Sequence, residues 1–130
     1  MSRKLRGFSL IELMITVALI AILVTLSYPS YANFIRKSHR SEALMDLLDW
    51  ANRQQIWRAD NTSYSASIDP TDSDYYTYTI VASANAFTLT ATAKGKQADD
   101  SEADVTCATL TLDQDGTRGP VGHEKCWRKN

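Results

Sequence analysis

The sequence is poor in glycine, proline, cysteine and histidine, and each shortage excludes a class of protein. It has five glycines and three prolines in 130 residues and no visible repeat, which excludes collagen-like and low-complexity chains. The two histidines, His39 and His123, lack metal-ligand spacing with either cysteine. There is also no glycine-rich loop of the kind that binds phosphate. We therefore expect no metal, no cofactor and no catalytic centre.

Net charge is also small, at −1. Three cations, Arg3, Lys4 and Arg6, precede Gly7, and removing them would leave −4, which does not favour a general polyanion binder. A C-terminal group of basic residues around Trp127 could bind single-stranded nucleic acid, and it comprises Arg118, His123, Lys125, Arg128 and Lys129. Given the charge, we favour a solvated tail over a nucleic-acid site.

Cys107 and Cys126 are the two cysteines, and 18 residues separate them. One disulfide formed in an oxidising compartment would explain both, and a pair of free thiols is the alternative. Closing a loop of this size is worth about 3 kcal/mol through the lost entropy of the unfolded chain. The bond would tie the C-terminal segment to the rest of a small domain.

What the sequence has in excess is an apolar N-terminal segment. Phe8 to Tyr28 spans 21 residues, of which the polar ones are Ser9, Glu12, Thr16, Thr25 and Ser27. As a helix at about 1.5 Å per residue it would be about 31 Å long, the thickness of a hydrocarbon core. The cations before it predict an amino end in the cytoplasm and everything after Ile35 outside it.

Three interpretations of this segment compete. One is a secretory signal peptide with a cleavage site at Ser30-Tyr31-Ala32, and another is a plain membrane anchor. The third is a helix that first lies in the membrane and later packs against copies of itself. Glu12 favours the third, because a charge at membrane depth is costly and a buried carboxylate needs a partner charge.

We expect the helix to continue beyond Pro29, with a kink or local unwinding at that residue. Arg36 to Arg58 has an amphipathic pattern, so the joined helix would run from about Phe8 to Ala59. The predicted core face comprises Ala43, Leu44, Leu47, Leu48, Trp50, Ala51 and Trp57, with Met45 and Ile56 off that arc. The predicted polar face comprises Arg40, Glu42, Asp46, Asp49, Asn52 and Arg53.

The rest of the chain predicts an antiparallel meander that this helix covers, giving an α+β fold with three to four strands. A loop from Asp60 to Asp74 contains the glycosylation-like sequence Asn61-Thr62-Ser63, which is too short to be specific. The predicted strands are 75–81, 87–93 and 105–112, with a fourth near Thr117 and Arg118. The predicted connections are a turn at Ala84-Asn85, a charged loop at Lys94–Asp104 and a hairpin turn at Gln114-Asp115-Gly116.

The N-terminal arrangement resembles the type IV pilin signature. The features that carry the resemblance are a short basic leader ending at Gly7, the sequence Phe8-Ser9-Leu10-Ile11-Glu12, and the apolar segment behind it. Pro29, the long helix, the sheet and the Cys107–Cys126 loop are also similar to the pilin plan. The segment from Leu110 through Gly119-Pro120 to Cys126-Trp127 resembles the minor pilins of type IVa pili.

The resemblance implies a role for each of these residues. A prepilin peptidase would cut after Gly7 and methylate the new amine of Phe8, and Glu12 would meet the Phe8 amine of a neighbouring subunit. Residues 1–7 would be the removed leader, 8–35 the transmembrane and filament-core half of the helix, and 36–130 the globular domain. The implied partners are other pilins, the peptidase, the pilus assembly platform and the inner membrane.

The implied function is that of a structural subunit of the filament or of its initiation and priming complex, with a role in twitching motility, adhesion or DNA uptake, and not that of an enzyme. It would be held in the inner membrane, with its globular domain in the periplasm, before it reaches the surface pilus. The alternatives are a pilin-like subunit of a type II secretion system and a DNA-binding pilin of natural transformation.

Overall fold

The computed structural model describes residues 7–68, 70 and 73–128. The predicted leader before Gly7 and Lys129 of the basic tail therefore lie outside the described residues. The chain divides into two compact units, Met1–Phe34 and Ile35–Asn130.

One α-helix, α1, extends from Leu10 to Asp60 and contributes residues to both units. It continues through Pro29, so the predicted continuation beyond this proline is confirmed, and no unwinding is seen there. The kink at Pro29 stays a prediction. The helix begins two residues later than predicted because Ser9 takes the capping position, and its Oγ accepts a hydrogen bond from the Glu12 N–H (3.2 Å).

In the first unit, the described side chains are exposed apart from a few that are half-buried. Its helix is long and apolar enough to cross a membrane by length and composition. Three hydroxyls bond back to carbonyls of the preceding turn, namely Thr16 to Leu13, Thr25 to Ile22 and Ser27 to Leu23, at 2.8, 2.8 and 2.9 Å. These side chains are thus satisfied within the helix, as a segment surrounded by lipid or by other helices requires.

The second unit combines the rest of α1 with an antiparallel sheet. The strands are β1 (Tyr76–Ala82), β2 (Phe87–Ala93), β3 (Ser101–Glu102), β4 (Val105–Thr106), β5 (Thr109–Asp113) and β6 (Arg118–Gly119). Four of them form a sheet in the order β1-β2-β5-β6, and β3 pairs with β4 in a separate ribbon. All pairs are antiparallel, so the predicted meander and its fourth strand are confirmed.

Two predictions are wrong in detail, namely the single third strand at 105–112 and the structureless charged loop before it. The loop contains a 3₁₀ helix, Gly95–Asp99, and strand β3. Residues 105–112 divide into β4 and β5. The cause is a tight turn in which Ala103 and Asp104 both have positive φ (46° and 68°), which folds β4 back onto β3. Neither residue is a glycine or an asparagine, so the usual sequence signal for this turn is missing.

The core lies between one face of α1 and the inner face of the sheet. Leu47 and Trp50 of α1 are fully buried against residues such as Phe87, Leu89 and Leu110 of the strands. The prediction that this half of α1 covers one face of the sheet is therefore confirmed. Two residues assigned to the core face, Leu48 and Trp57, are instead 46% and 42% exposed. Leu48 lies about 100° round the helix from Leu47, beyond the covered face, and Trp57 lies in the last turn of α1.

Gln54 is a buried polar residue that the sequence did not single out. Its Nε2 donates to the Ser65 carbonyl (2.7 Å), and its Oε1 accepts from the Ser65 N–H (3.0 Å). The paired bonds satisfy both ends of the amide and fasten the segment after α1 to the helix. The Trp50 indole N–H donates to the Ile68 carbonyl and fastens the same segment further along.

Candidate assembly site and C-terminal groove

The predicted processing and assembly residues lie together at the start of α1. Phe8 is 74% exposed, and apart from Gly7 and its chain neighbours no atom of the described residues lies within 4 Å of the position a Cβ would take at Gly7. Ser9 caps the helix, and Glu12 occupies its first turn, where a carboxylate interacts favourably with the helix dipole. The serine and the glutamate thus favour a helix that begins immediately after the boundary between Gly7 and Phe8.

Glu12 is exposed, and it forms no ion pair within the part of the chain that the structure describes. The neighbouring hydroxyls are bonded inside the helix, whereas this carboxylate has no charged partner there. A carboxylate in apolar surroundings requires a partner cation, so the geometry leaves Glu12 available to a charge from outside the chain.

A buried ionic cluster occupies the second unit, where the sequence predicted a solvent-facing arginine. Arg40 is only 4% exposed, and that assignment to the polar face is wrong. Its guanidinium donates to Asp100 (3.0 Å) and to Glu102 (2.8 Å), and the Lys37 ammonium also donates to Glu102 (3.2 Å). The cluster joins α1 to the segment that carries the β3–β4 ribbon.

The two carboxylates of this cluster are perturbed in opposite directions. Burial raises the pKa of Asp100, although the Arg40 guanidinium opposes the shift. Hydrogen bonds from Arg40 and Lys37 lower the pKa of Glu102, which is partly exposed. The arrangement is a structural clamp, because each charged group already has its partners.

A second polar group lies next to the cluster. Gln97 is buried, and its Nε2 donates to the Arg36 carbonyl (2.9 Å) and the Tyr76 hydroxyl (3.1 Å). Its Oε1 lies 3.2 Å from Nδ1 of His39, whose ring stacks on Tyr75 at 3.4 Å between centroids. His39 is thus held in a packing contact with an aromatic ring and an amide.

Cys107 and Cys126 form a disulfide, which confirms the predicted bond and not the free-thiol alternative. The bond fixes a C-terminal 3₁₀ helix, Glu124–Trp127, beside the ribbon. The Trp127 indole N–H donates to the Gly119 carbonyl (3.0 Å), and the Arg118 guanidinium lies over its ring at 5.6 Å. Gln114-Asp115-Gly116 forms the predicted turn, in which Asp113 Oδ1 accepts from the N–H groups of Asp115 and Thr117.

The structure brings part of the predicted basic group to one open groove. The groove has a volume of about 620 Å³ and lies between α1 and the C-terminal segment. Its lining comprises Ser41, Leu44, Met45, Leu48, Arg118, Glu124, Trp127 and Arg128. His123 and Lys125 do not line it. Backbone N–H groups, including that of Gly122, lower the pKa of Glu124 and keep it as a carboxylate beside the two arginines.

Two known families match successive parts of the chain. Residues 29–111 match the family described as "Type IV minor pilin ComP, DNA uptake sequence receptor", and residues 2–28 match the prokaryotic N-terminal methylation motif. The chain belongs to the type IV minor pilin ComP family. The resemblance to type IV pilins that the sequence predicted is thereby confirmed, as is the pilin fold.

Solved structures support the same assignment. A type IV pilin from Shewanella oneidensis is 28% identical, with a TM-score of 0.59, over 72% of this chain and 99% of that one. The non-core minor pilin PilV from Neisseria meningitidis has the same fold, with 23% identity and a TM-score of 0.53, over 67% of this chain and 87% of that one.

The curated relatives match over a shorter stretch. The fimbrial protein EcpC of Eikenella corrodens is 34% identical over 65 residues, which is 45% of this chain and 42% of EcpC. The chain spans less than half the length of the curated relatives it matches. The apolar helix and the methylation motif are features of a membrane-anchored pilus subunit.

Proposed function

We propose that this minor pilin is cut by a prepilin peptidase between Gly7 and Phe8, is methylated at the Phe8 amine, and then enters a type IV pilus. Residues 1–7 are the leader, 8–35 cross the inner membrane and later lie in the filament core, and 36–130 form the periplasmic domain. The Glu12 carboxylate pairs with the Phe8 amine of a neighbouring subunit. The partners are other pilins, the peptidase and the assembly platform.

The observation that carries the proposal is the state of Glu12. It is the one charged residue in the 29-residue apolar stretch 7–35, and it forms no ion pair among the residues that the structure describes. Cleavage after Gly7 creates an ammonium group four residues upstream. A staggered neighbour presents the same group, so the pair gives the packing of apolar helices a defined register.

The test replaces Glu12 with alanine in the full-length chain in the cell that produces it. The variant should remain in the membrane but appear in sheared surface filaments at less than about one-tenth of the wild-type amount, since a buried charge pair is lost. Thr16→Ala is the matched control, because the Thr16 hydroxyl bonds only to its own helix (2.8 Å) and should not affect incorporation.

The same filament preparation tests the processing step. Mass spectrometry of the wild-type chain should find an N-terminal peptide that starts at Phe8 and carries one additional methyl group. A chain that keeps its leader in filaments, or a Glu12→Ala variant that is incorporated normally, contradicts the proposal.

A second candidate function is DNA binding, which the description of the matched family favours. The groove offers suitable groups, since Arg118 and Arg128 lie beside the Trp127 ring. Phosphates would pair with the guanidinium groups, and a base or sugar would contact the apolar floor.

Gel-shift titration of a fragment from residue 35 onward, over a salt series, tests this function. If both arginines contact phosphates, the double variant Arg118→Ala/Arg128→Ala should reduce the slope of log K against log salt by about 1.8 for duplex DNA or about 1.4 for a single strand. Lys94→Ala/Lys96→Ala removes two exposed cations elsewhere and is the matched control. Absence of binding at low salt, or equal loss in both double variants, contradicts DNA binding in the groove.

A further inference from the structure

The part of α1 in the globular domain carries an apolar surface that lies away from the core. Met45, Leu48 and Ile56 are 61%, 46% and 62% exposed. At about 100° per residue they fall within an arc of about 80°, on the side of the helix opposite Leu47 and Trp50. We call these three residues the outer strip. Clustered large apolar groups at a surface mark a site of interaction with another molecule.

One edge of the outer strip is basic. Met45 and Leu48 also line the groove, whose far wall carries Arg118 and Arg128 together with Glu124. Two guanidinium groups and one carboxylate leave this edge with one net positive charge. Trp127 also lines the groove, with the Arg118 guanidinium over its ring.

The other edge of the outer strip is acidic. Glu42, Asp46 and Asp49 lie about 40–100° round the helix from Met45, on the side away from the groove. Glu42 and Asp49 are exposed, while Asp46 accepts a hydrogen bond from the Tyr78 hydroxyl (2.5 Å). Arg53 pairs with Asp49 (3.0 Å), so three carboxylates and one guanidinium leave a net charge of −2 at this edge.

This order of charges is complementary to a second copy in one orientation. When two such strips face each other with their helices parallel, the acidic edge of each copy lies opposite the basic edge of the other. With the helices antiparallel, like charges lie opposite each other, which is unfavourable. Parallel packing is also what two subunits require when their amino ends are held in the same membrane.

We propose that the outer strip is the surface on which a second copy of this chain packs, with the two α1 helices parallel and apolar side chains of each copy entering the groove of the other. The parallel orientation rests on the membrane topology proposed above. The outer strip belongs to the second unit, whereas Phe8 and Glu12 belong to the first, and the strip would bring two copies together before either enters a filament.

The test places a photo-cross-linking amino acid, p-benzoylphenylalanine, at Met45 or Leu48 of the full-length chain in the producing cell. Irradiated membranes should contain an adduct of twice the chain mass, in which mass spectrometry finds two copies of this chain. Val81 is 77% exposed on the outer face of the sheet and is the control position, from which this adduct should be absent.

Charge variants then test the orientation. Arg118→Glu should reduce the Met45 adduct roughly twofold to fivefold, as expected for exposed charge pairs. This variant gives the basic edge a net charge of −1, and adding Asp49→Arg to the same chain brings the acidic edge from −2 to 0. The second substitution removes the repulsion between the edges and should restore much of the adduct. Non-reducing gels must show the Cys107–Cys126 bond in each variant, so that misfolding is separated from lost contact.

Several outcomes would overturn the proposal. These are an equal adduct from Val81, an adduct with a different protein, or a loss that the second substitution does not reverse. Incorporation into filaments is scored separately in the same cells. A chain that enters filaments but gives no membrane adduct refutes only the packing of a second copy on the outer strip. A chain that gives the adduct but never enters filaments refutes only the proposed function.

Discussion

Arg40→Met should lower the free energy of unfolding of a fragment from residue 35 onward by about 3–5 kcal/mol, the cost of breaking a buried ion pair by removing one partner. The guanidinium is 4% exposed and contacts two carboxylates. Asp100, at 3% exposed, would be left as a buried charge without its main partner. Methionine keeps an unbranched apolar chain in place of the arginine stem, so most of the cost comes from the lost charge pairs.

The pH dependence of this deficit is a sharper test. Burial already raises the pKa of Asp100, and loss of Arg40 should raise it further above the unfolded value of about 3.9. The folded variant then takes up a proton more readily than the unfolded chain, so its stability should rise as the pH falls from 7 toward about 4. The hydrogen bond from Arg40 is the main cause of the lowered pKa of Glu102, so the stability that Glu102 contributes above about pH 4.3 in the unchanged fragment is reduced in the variant.

Urea denaturation of the oxidised fragment at several pH values between 4 and 7 measures both effects. Arg53→Met is the control, because Arg53 is 41% exposed and its partner Asp49 is 66% exposed. Its cost should not exceed about 1 kcal/mol. The reasoning is refuted if the two variants lose similar stability, or if the deficit of Arg40→Met is the same at pH 7 and pH 5.

Three further predictions concern the same fragment. Cys126→Ala together with Cys107→Ala should cost about 3 kcal/mol in urea denaturation, because it frees a loop of this length in the unfolded chain; a cost below 1 kcal/mol would contradict this. Leu47→Ala should cost about 2–5 kcal/mol as a buried deletion, whereas Met45→Ala, at an exposed position two residues away, should stay within about 0.5 kcal/mol. Burial raises the pKa of Tyr76 to about 12, so stability should fall as the pH rises from 10 through 12, and Tyr76→Phe should lessen that fall in denaturation curves.

The helix and the strands could be predicted because the spacing of apolar residues along each one shows which face is buried. Alternating apolar and threonine residues from Phe87 onward predicted β2, and the helical spacing of Leu47 and Trp50 predicted the face that covers it. The disulfide followed from the count of cysteines in a small domain. The start of α1 could be placed only within two residues, since capping by Ser9 decides it.

Arg40 and Leu48 were misplaced for the same reason. Their burial depends on their position around α1 and not on whether the side chain is charged or apolar. Arg40 lies on the same side of α1 as Leu47, and its charge is tolerated there because Asp100 and Glu102, 60 and 62 residues away, meet it. Leu48 is apolar but lies off the covered face. The groove could not be predicted either, because it requires Arg118 and Arg128 to be brought beside α1 by contacts distant in sequence.

Those distant contacts form one connected path through the domain. Arg40 of α1 holds the Asp100 carboxylate, and the Asp100 carbonyl accepts from the Cys107 N–H (2.8 Å). Cys107 is bonded to Cys126, and the neighbouring Trp127 donates to Gly119, beside Arg118. A helix residue far from the C-terminus thus helps to fix the cations of the groove. Loss of Arg40 should therefore weaken the binding of any partner in the groove, although Arg40 does not line the groove. The costs in free energy of unfolding of Arg40→Met and of disulfide removal should not add, because both changes release the same segment.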